Sequence, residues 1–441
     1  MQNHYKLIPS YFSPAGDDAD IVGEINQRAF YLRADYTGDS LTSRIYNTES
    51  NSTVAAIYPS REGSYLAGNY INRIWLMNIE EDGDSLWSKF YGAEGYYYDC
   101  CSMVGDFNRY LVLAGTVWPQ DDEGDPDVFL MMLDFEGDSL WYRSYDICEA
   151  ENDKDICYSM VETFTGGNGF LLAGSTTSND QDYFAWALRT NLDGDSLWSY
   201  QIGGALEDVP YNVEHNWDFF ALTGGFIDNE RGIINYGLVK LSYAGEFLSM
   251  RRYSSGRIAY ATALSRASGN GFLLAGTTAD GIWLLKVDQE GDSLWSLPIN
   301  FGHDAFCSAI TYTMYSGLAL TGYTESPNNA FLVETTRDPE TSVSNSHIQF
   351  PVEMSLYPVF PNPFNSTVTI PFAVGARRAV PLHLAIFDPL GRRVAELIPS
   401  QVMCAGLHSV VWDAKGVPAG GYVVRLEAGE AQIEQQIILA K

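Results

Sequence analysis

Short apolar runs of four to eight residues, each bounded by Gly, Asn, Asp or Ser, recur along the first three quarters of the chain. Residues 157–204 contain four of them in order, within the segments CYSMVETFTGG, GFLLAGSTTS, YFAWALRTNLDG and DSLWSYQIGG. Runs of this length separated by turn-forming residues predict β-strands. The pattern therefore predicts a repeated unit of four strands joined by turns.

Two sequence markers repeat with this unit. The string GDSL begins at Gly38, Gly83, Gly137, Gly194 and Gly291, and a degenerate GEFL begins at Gly245. An LAG or LTG string places further glycines at Gly68, Gly115, Gly174, Gly224, Gly276 and Gly322. Four strands recurring about every 50 residues are typical of propeller blades.

The repeats predict an all-β fold whose first part is a β-propeller of four-stranded blades. We expect seven blades, with the N-terminus supplying only the last two or three strands of its unit and the final unit stopping after its third strand. Six blades result if residues 30–46 complete the last blade instead of opening a new one.

The GDSL string has a structural explanation. Its glycine stands where a hairpin turn needs positive φ, and its Asp and Ser can bond to nearby backbone. The Trp that follows, at Trp87, Trp141, Trp198 and Trp295, is expected to wedge between adjacent blades. GDSL is also the nucleophile signature of a family of serine esterases, but five copies at blade spacing, with no helix pattern after them, argue against that chemistry.

The blade pattern ends after residue 338, so we expect a propeller over residues 1–338, a polar linker over 339–352 and a second domain over 353–441. The second domain contains seven strand-like runs with turns between them, which predicts a small Ig-like sandwich. The runs are SLYPVF, TVTIPFAV, LHLAIFD, RVAELI, HSVVWD, YVVRLEA and EQQIILA.

Charge is distributed unevenly between the two parts. The chain has 56 acidic and 26 basic residues, a net charge of -30, yet residues 351–441 hold seven of each. Nucleic acid is a disfavoured partner, because phosphate binding needs clustered Lys and Arg, and the same holds for an anionic membrane surface. No run of about 18 apolar residues occurs, so an integral membrane protein is not expected. Residues 1–10 lack the layout of a secretory signal.

The C-terminal domain carries several motifs in order: SLYPVFPNPFNSTVTIPF, IFDPLGRRVAEL, GLHSVVWDAKGVPAGGYVVRLEAG and QQIILAK. They resemble the type A C-terminal sorting domain of the bacterial type IX secretion system, which shares these motifs with FlgD-like Ig domains. The resemblance implies recognition by the type IX secretion machinery and an extracellular or outer-membrane-surface location in a bacterium. The positions matching its motifs are Asn362, Pro363, Phe364, Asn365, Gly391, Arg392, Gly421, Tyr422 and Lys441. The upstream repeats similarly resemble the propellers of secreted proteins that carry such domains.

The six cysteines include no CxxC pair, so the sequence suggests no zinc site. Cys148 and Cys157 bracket an acidic loop and are a disulfide candidate for an oxidising compartment. Adjacent Cys100 and Cys101 resemble the pair beside the quinone in some quinoprotein alcohol dehydrogenases. The eight blades and Ca²⁺-binding set of those enzymes are not found here, so buried structural thiols are the favoured interpretation.

Propeller loops alternate between two rims, and the connections from strand 2 to 3 and from strand 4 to the next blade share one rim. In this chain these connections are long and acidic, and loops carry function more often than strands do. The candidate ligand-binding residues on this rim are Asp121, Asp122, Asp125, Asp127, Tyr96, Tyr97, Tyr98 and Trp118.

Residues 121–127 hold five carboxylates, which repel one another unless a cation or a basic partner screens them. Oxygen ligands on a flexible loop suit Ca²⁺, so Asp125 and Asp127 form a candidate Ca²⁺ site, and no other cofactor is expected. The alternative is solvated charge that keeps an exported protein soluble.

Three functions are compatible with these features. The favoured one is a non-enzymatic binding module for an extracellular glycan or protein. The alternative is a secreted polysaccharide hydrolase or lyase with carboxylates in the propeller channel, although the sequence singles out no pair. A quinone- or metal-dependent oxidoreductase is the third. Enzymatic activity is thus the less favoured interpretation, and no catalytic residue is assigned.

Overall fold

The computed structural model describes residues 8–10, 19–25, 28–34, 40–46, 52–60, 63–106, 109–120, 124–148, 153–164, 167–178, 182–202, 209–228, 233–255, 258–267, 270–278, 281–301, 305–312, 317–325, 328–334, 355–356, 359, 362–374, 381–402, 406–428 and 431–440. They contain strands β1 to β34. Within these ranges no helix has the length and apolarity that a membrane crossing needs. The chain divides into two compact units, one of Met1–Asn328 and Glu334–Val343 and the other of Asn329–Val333 and Ser344–Lys441.

Over the described residues, the strands between Ile8 and Glu334 form six four-stranded sheets and one three-stranded sheet, each with its strands in chain order. The first three sheets are β1 (Ile8–Ser10), β2 (Ala19–Ile25), β3 (Arg28–Ala34), β4 (Ser40–Ile45); β5 (Ser52–Pro59), β6 (Gly63–Tyr70), β7 (Arg73–Glu80), β8 (Ser85–Tyr91); and β9 (Tyr96–Asp106), β10 (Tyr110–Pro119), β11 (Asp127–Leu133), β12 (Ser139–Tyr145). The next two are β13 (Ile156–Thr163), β14 (Gly169–Ser178), β15 (Asp182–Asn191), β16 (Ser196–Ile202); and β17 (Val209–His215), β18 (Phe220–Asp228), β19 (Ile233–Leu241), β20 (Phe247–Tyr253). The last two are β21 (Ala259–Arg266), β22 (Phe272–Thr278), β23 (Gly281–Val287), β24 (Ser293–Asn300); and β25 (Ala305–Tyr312), β26 (Leu318–Glu325), β27 (Asn328–Glu334).

The sheets contact one another in sequence through their first strands, from β5 to β9 and onward to β25, as the blades of a propeller do. Strand β1 contacts both β5 and β25, so the first sheet lies against the last one. The expectation that the N-terminus supplies only two or three strands was wrong, because β1 and β2 complete a four-stranded sheet with β3 and β4. In the described part of the chain the final sheet has three strands, as expected, while the blade count stays a prediction.

The LAG glycines lie where the first two strands of a sheet approach most closely. In the third sheet Ala114 pairs with Ser102 and Gly115 pairs with Cys100, so Cys101 is an extra residue bulged out of the ladder. A Cβ on Gly115 would lie 2.0 Å from the carbonyl oxygen of Asp99. A Cβ would lie 1.9 to 2.0 Å from a first-strand carbonyl oxygen in the same way on Gly68, Gly174, Gly224 and Gly276. Only glycine fits this repeated bulge.

The GDSL glycines adopt the predicted positive φ, with values of 83°, 81°, 78° and 90° at Gly83, Gly137, Gly194 and Gly291. In each of these turns the glycine N–H donates to the carbonyl three residues earlier. The ring of Trp87 packs against Gly137 of the following sheet, and Trp141 packs against Gly194 in the same way. The Trp of one sheet therefore covers the turn of the next, as the sequence predicted.

Further contacts repeat at the same place. The Tyr91 hydroxyl donates to the Gly137 carbonyl oxygen at 2.7 Å, and Lys89 pairs with Asp138 at 2.6 Å. Equivalent tyrosine hydrogen bonds join Tyr46 to Gly83, Tyr145 to Gly194 and Tyr253 to Gly291. The fourth strand of one sheet thus holds the third-to-fourth-strand turn of its successor. The exposed ion pair adds little free energy, so the aromatic packing and hydrogen bonds are the main stabilising contacts.

The second unit contains the seven predicted strands in two sheets. One sheet holds β28 (Ser355–Leu356), β29 (Thr367–Val374) and β32 (Gly406–Asp413), and the other holds β31 (Arg393–Val402), β30 (Pro381–Phe387), β33 (Gly420–Ala428) and β34 (Ala431–Leu439). Buried side chains from both sheets, including Phe372, Ile386 and Trp412, form one apolar cluster. This arrangement matches the expected sandwich.

Candidate functional site

Two features occupy the rim formed by the strand 2-to-3 and strand 4-to-1 connections, which we name the loop rim. The connections concerned are residues 71–72, 92–95, 120–126 and 146–155. The first feature is an aromatic groove, and the second is a cluster of carboxylates. The opposite side, which carries the GDSL turns, is named the turn rim.

The aromatic groove encloses a volume of about 360 Å³ between the second and third sheets. Tyr70 and Phe90 form one wall with ring centroids 5.2 Å apart. Tyr96 stands on the other side, where its carbonyl oxygen accepts a hydrogen bond from the Gln120 side chain at 3.1 Å. Phe90 and Tyr96 are 45% and 42% exposed, which leaves both rings available to a ligand. The lining residues are Tyr70, Ile71, Asn72, Arg73, Phe90, Ala93, Glu94, Gly95, Tyr96 and Gln120.

Ile71 forms the lip of this groove in a strained conformation. Its φ is 55°, in the left-handed region that favours glycine, and 58% of the residue is exposed. A β-branched residue in this region is an outlier that costs about 1–3 kcal/mol, and such outliers concentrate at functional sites. The turn thus holds an apolar side chain at the groove at a cost in stability.

The structure separates the four aromatic residues that the sequence nominated. Tyr96 lines the groove, while the rings of Tyr97 and Trp118 stack on each other with centroids 6.0 Å apart and are half-buried. The assignment of Tyr98 to the ligand-binding surface was wrong, because its side chain is buried in the apolar core and packs against Phe129. Successive side chains of a strand point to opposite faces, so three adjacent tyrosines cannot share one surface.

Sequence reasoning missed Tyr70, Ile71 and Phe90. The repeat contains a usable signal for Phe90, because the equivalent positions in the next three copies are Ser144, Gln201 and Arg252. The remaining two copies place Ile45 and Pro298 there, so Phe90 is the only aromatic residue at this position among the six copies, and it stands on an exposed outer strand.

The acidic loop residues contribute in a different way from that expected. Asp121 and Asp122 lie outside the described residues, and Asp125 is exposed. Asp127 is half-buried, and its pKa is raised, first by burial and then by the charges of Asp146, Asp153 and Asp125. Asp127 therefore lies near a second acidic segment, which the sequence analysis treated only as a charged loop.

That second segment holds Asp146, Asp153 and Asp155, which can each place a carboxylate oxygen within 4.8 Å of the others. Asp153 and Asp155 are buried, whereas Asp146 is exposed. The pKa of Asp155 is raised to about 6: burial is the largest cause, hydrogen bonds from Thr176 and Ile147 oppose the rise, and the charges of Asp153 and Asp146 add to it. Sequence spacing gave no reason to select these three residues, because the fold brings them together.

The candidate disulfide between Cys148 and Cys157 is not formed in the structure, where both are free thiols. Cys157 is buried on the first strand of its sheet, and its neighbour there is Cys101. Burial and then Cys101 raise the pKa of the Cys157 thiol well above its usual value. Cys100 is also buried, in an apolar cluster, which fits the structural role expected for the adjacent pair.

Two glutamate carboxyl groups, each on the first strand of its sheet, have raised pKa values. Glu162 accepts a 2.6 Å hydrogen bond from the Tyr110 hydroxyl, and Glu214 pairs with Arg266 at 3.4 Å. Burial is the largest cause raising both pKa values. His215, beside Glu214, contacts the backbone of Glu162, so the two carboxyls belong to one neighbourhood. The sequence identified neither of them.

Most motif positions of the second unit have structural roles. Asn362 Oδ1 accepts the Ile438 N–H at 2.9 Å, and Phe364 is buried against Trp412, so the PNPFN segment is held on the last strand. Gly391 has a φ of 77° in a turn closed by Asp388 and Arg392.

The remaining motif positions differ in accessibility. The Tyr422 hydroxyl donates to the Pro418 carbonyl oxygen at 2.7 Å. Pro363, Asn365 and Gly421 are exposed, and Lys441 lies outside the described residues. The exposed residues are therefore the ones accessible to a partner.

Residues 358–440 match the family described as the secretion system C-terminal sorting domain. No curated protein sequence matches the chain. Among solved structures, the WD40 domain of Pan2 from Neurospora crassa is 12% identical, with a TM-score of 0.51 over 73% of this chain and 86% of that one. Sqt1 from Chaetomium thermophilum is 11% identical, with a TM-score of 0.43 over 96% and 93%. Dipeptidyl peptidase 4 from Porphyromonas gingivalis is 10% identical, with a TM-score of 0.39 over 90% and 65%.

The Pan2 likeness shows the propeller fold, and the C-terminal match shows the sorting domain. The chain is therefore a β-propeller protein exported by type IX secretion to the cell surface or the extracellular space. Its C-terminal domain implies an interaction with the secretion machinery.

Proposed function

We propose that the propeller unit is a non-enzymatic binding module that takes an extracellular carbohydrate in the aromatic groove. The observation that carries the proposal is the pair of half-exposed rings, Phe90 and Tyr96, beside the strained and exposed Ile71. Aromatic rings at a surface stack on the apolar faces of sugars, since they offer a large and rigid contact area. Asn72, Arg73 and Glu94 add hydrogen-bonding groups that suit hydroxyls.

The test is binding of the full-length chain to a glycan array, followed by titration of the best glycan. Tyr96→Ala and Phe90→Ala should each weaken binding at least about tenfold, as expected for central aromatic contacts. Trp217→Ala is the matched control, because Trp217 is 71% exposed in the turn between β17 and β18 on the turn rim. Unchanged binding by both groove variants would refute the groove, and binding of peptides but no glycan would refute the carbohydrate.

Ile71 offers a sharper test of the same site. Asn tolerates the left-handed region better than Ile, so Ile71→Asn should raise the free energy of unfolding while weakening glycan binding. A variant that is more stable and binds as the wild type does would show that the strained residue has no part in recognition.

A second candidate function is polysaccharide cleavage, and the raised pKa values of Glu162 and Glu214 favour it. A carboxyl group with a raised pKa keeps its proton to a higher pH than usual and can then serve as a general acid. Release of reducing ends from a bound polysaccharide, lost in Glu162→Gln and Glu214→Gln, would support it. Binding without any product over a long incubation would leave the binding module as the function.

A further inference from the structure

Two thiols from different sheets lie in one apolar border. Cys157, on the first strand of the fourth sheet, is 3% exposed and belongs to the buried cluster between the third and fourth sheets. Cys101, on β9 of the third sheet, is partly buried and packs against the same cluster. The Cys157 thiol interacts with Cys101 through a side-chain hydrogen bond and through charge. The two sulfur atoms are therefore neighbours across the border.

The bulge on β9 places Cys101 at this border. Cys101 is the extra residue of the bulge, and its thiol donates to the Ala114 carbonyl oxygen at 3.4 Å. On the other side, the Cys157 N–H donates to Thr116 Oγ1 at 3.0 Å. Ala114 and Thr116 are two residues apart on β10. Both cysteines thus contact the same short piece of one strand.

The strands that carry the two cysteines are held against each other. β9 contacts β13 along the border, and the Ser102 hydroxyl donates to the Met160 carbonyl oxygen at 3.4 Å. A disulfide forms without distortion only where the two backbones are already close. The border between these first strands meets that requirement before any bond is made.

The other described cysteines are placed less favourably for Cys157. Cys100 is next to Cys101 in sequence, but it belongs to the cluster between the second and third sheets, because successive residues of a strand face opposite ways. Cys148 lies on the connection before β13, and Cys307 is on β25 of the last sheet. The thiol that shares the hydrogen bond with Cys157 is that of Cys101.

We propose that Cys101 and Cys157 form a disulfide that joins the third sheet to the fourth in the exported protein. Exported proteins meet oxidising surroundings, in which disulfides form and persist. The bond closes a loop over residues 101–157, which contains almost the whole of the third sheet. In the chain-entropy model a loop of this length restricts the unfolded chain strongly, so the oxidised form is the more stable one.

The oxidant is a disulfide, either of a small molecule or of a thiol-oxidising protein. The Cys101 thiolate, which is the more accessible of the two, attacks one sulfur of the oxidant and releases the other as a thiolate. The Cys157 thiolate then attacks the Cys101 sulfur and releases the second thiolate. Each cysteine loses one proton, two electrons pass to the oxidant, and the oxidant leaves as two thiols.

The test uses full-length protein that is purified with its thiols reduced and is then incubated with oxidised glutathione. Cleavage after Lys and Arg by trypsin places Cys101 in residues 90–109, Cys148 in 144–154 and Cys157 in 155–189. Mass spectrometry of the non-reduced digest should find 90–109 joined to 155–189. The thermal midpoint should be about 5–10 °C higher in the oxidised protein than in the reduced protein.

Cys101→Ala should lose both the joined peptide and the difference in midpoint between oxidised and reduced protein. Cys100→Ala is the matched control, because it removes the adjacent thiol and leaves Cys101 in place, so it should keep both. No joined peptide in the oxidised wild type, or a peptide that joins 144–154 to 155–189, would overturn the proposal. A joined peptide that persists in Cys101→Ala would also overturn it, since Cys100 would then be the partner of Cys157.

Discussion

The two rims of the propeller unit arise from the same repeat but differ in how closely they follow it. On the turn rim, each of the four described GDSL turns has the same positive-φ glycine, and three tyrosines besides Tyr91 donate to the glycine carbonyl of the next sheet. On the loop rim, the described part of the connection from the third to the fourth sheet carries the carboxylate cluster, and the border between the second and third sheets carries the aromatic groove. Regular positions therefore hold the fold together, and departures from regularity include the groove that we assign to binding.

The largest effect on stability is expected from substituting a glycine of the repeat. A Cβ at Gly174 would lie 1.9 Å from the Ile156 carbonyl oxygen, so Gly174→Ala must displace backbone. We expect a loss of about 3 kcal/mol or more in the free energy of unfolding, measured by urea denaturation. Gly167→Ala is the control, because that glycine has a φ of 105° but no neighbour near a Cβ. It should cost only about 1–2 kcal/mol, and equal losses would show that the close approach does not matter.

Removing a tyrosine hydroxyl should change the free energy of unfolding by less, and the change should differ between the two rims. Tyr91→Phe removes the hydrogen bond to the Gly137 carbonyl oxygen and should lower the free energy of unfolding by about 1 kcal/mol. Tyr96→Phe, on the loop rim, should leave stability unchanged within about 0.5 kcal/mol. If Tyr96→Phe destabilised the protein as much as Tyr91→Phe does, the division between a structural and a ligand-binding rim would be wrong.

The smallest effect is expected at the GDSL serines, which begin the fourth strands and are exposed. Each of Ser85→Ala, Ser139→Ala, Ser196→Ala and Ser293→Ala should change the free energy of unfolding by about 1 kcal/mol or less, since a turn serine makes only local bonds. A fluorophosphonate probe should label none of them. Covalent labelling of any one would restore the esterase interpretation.

What the sequence could predict follows from the range of the interactions involved. The strands, the turn glycines and the position of the Trp residues depend on neighbours a few residues away, and the repeat displays them several times over. The reason for the LAG glycines was not predictable, because it depends on a carbonyl of another strand, such as Asp99 beside Gly115.

The candidate sites show the same limit. Tyr96 was nominated because it lies next to a loop of the rim. Phe90, which lines the same groove, is on a different strand and was not found. Asp125 and Asp127 were selected by local charge density, whereas the clustered carboxylates come together only when β12 and β13 are in place. Tyr98 was misplaced because a run of aromatic residues says nothing of which face each one occupies.

The interface between successive sheets is directional, with a donor side on the fourth strand and an acceptor side on the turn of the following sheet. This head-to-tail contact recurs at four junctions between described sheets, so inserting or removing one whole unit there creates no new kind of junction. Changes of copy number by recombination between the near-identical GDSL segments would thus preserve the local chemistry of assembly. The evolutionary constraint on this architecture then falls on the closing junction, where the chain must bring β1 against β25.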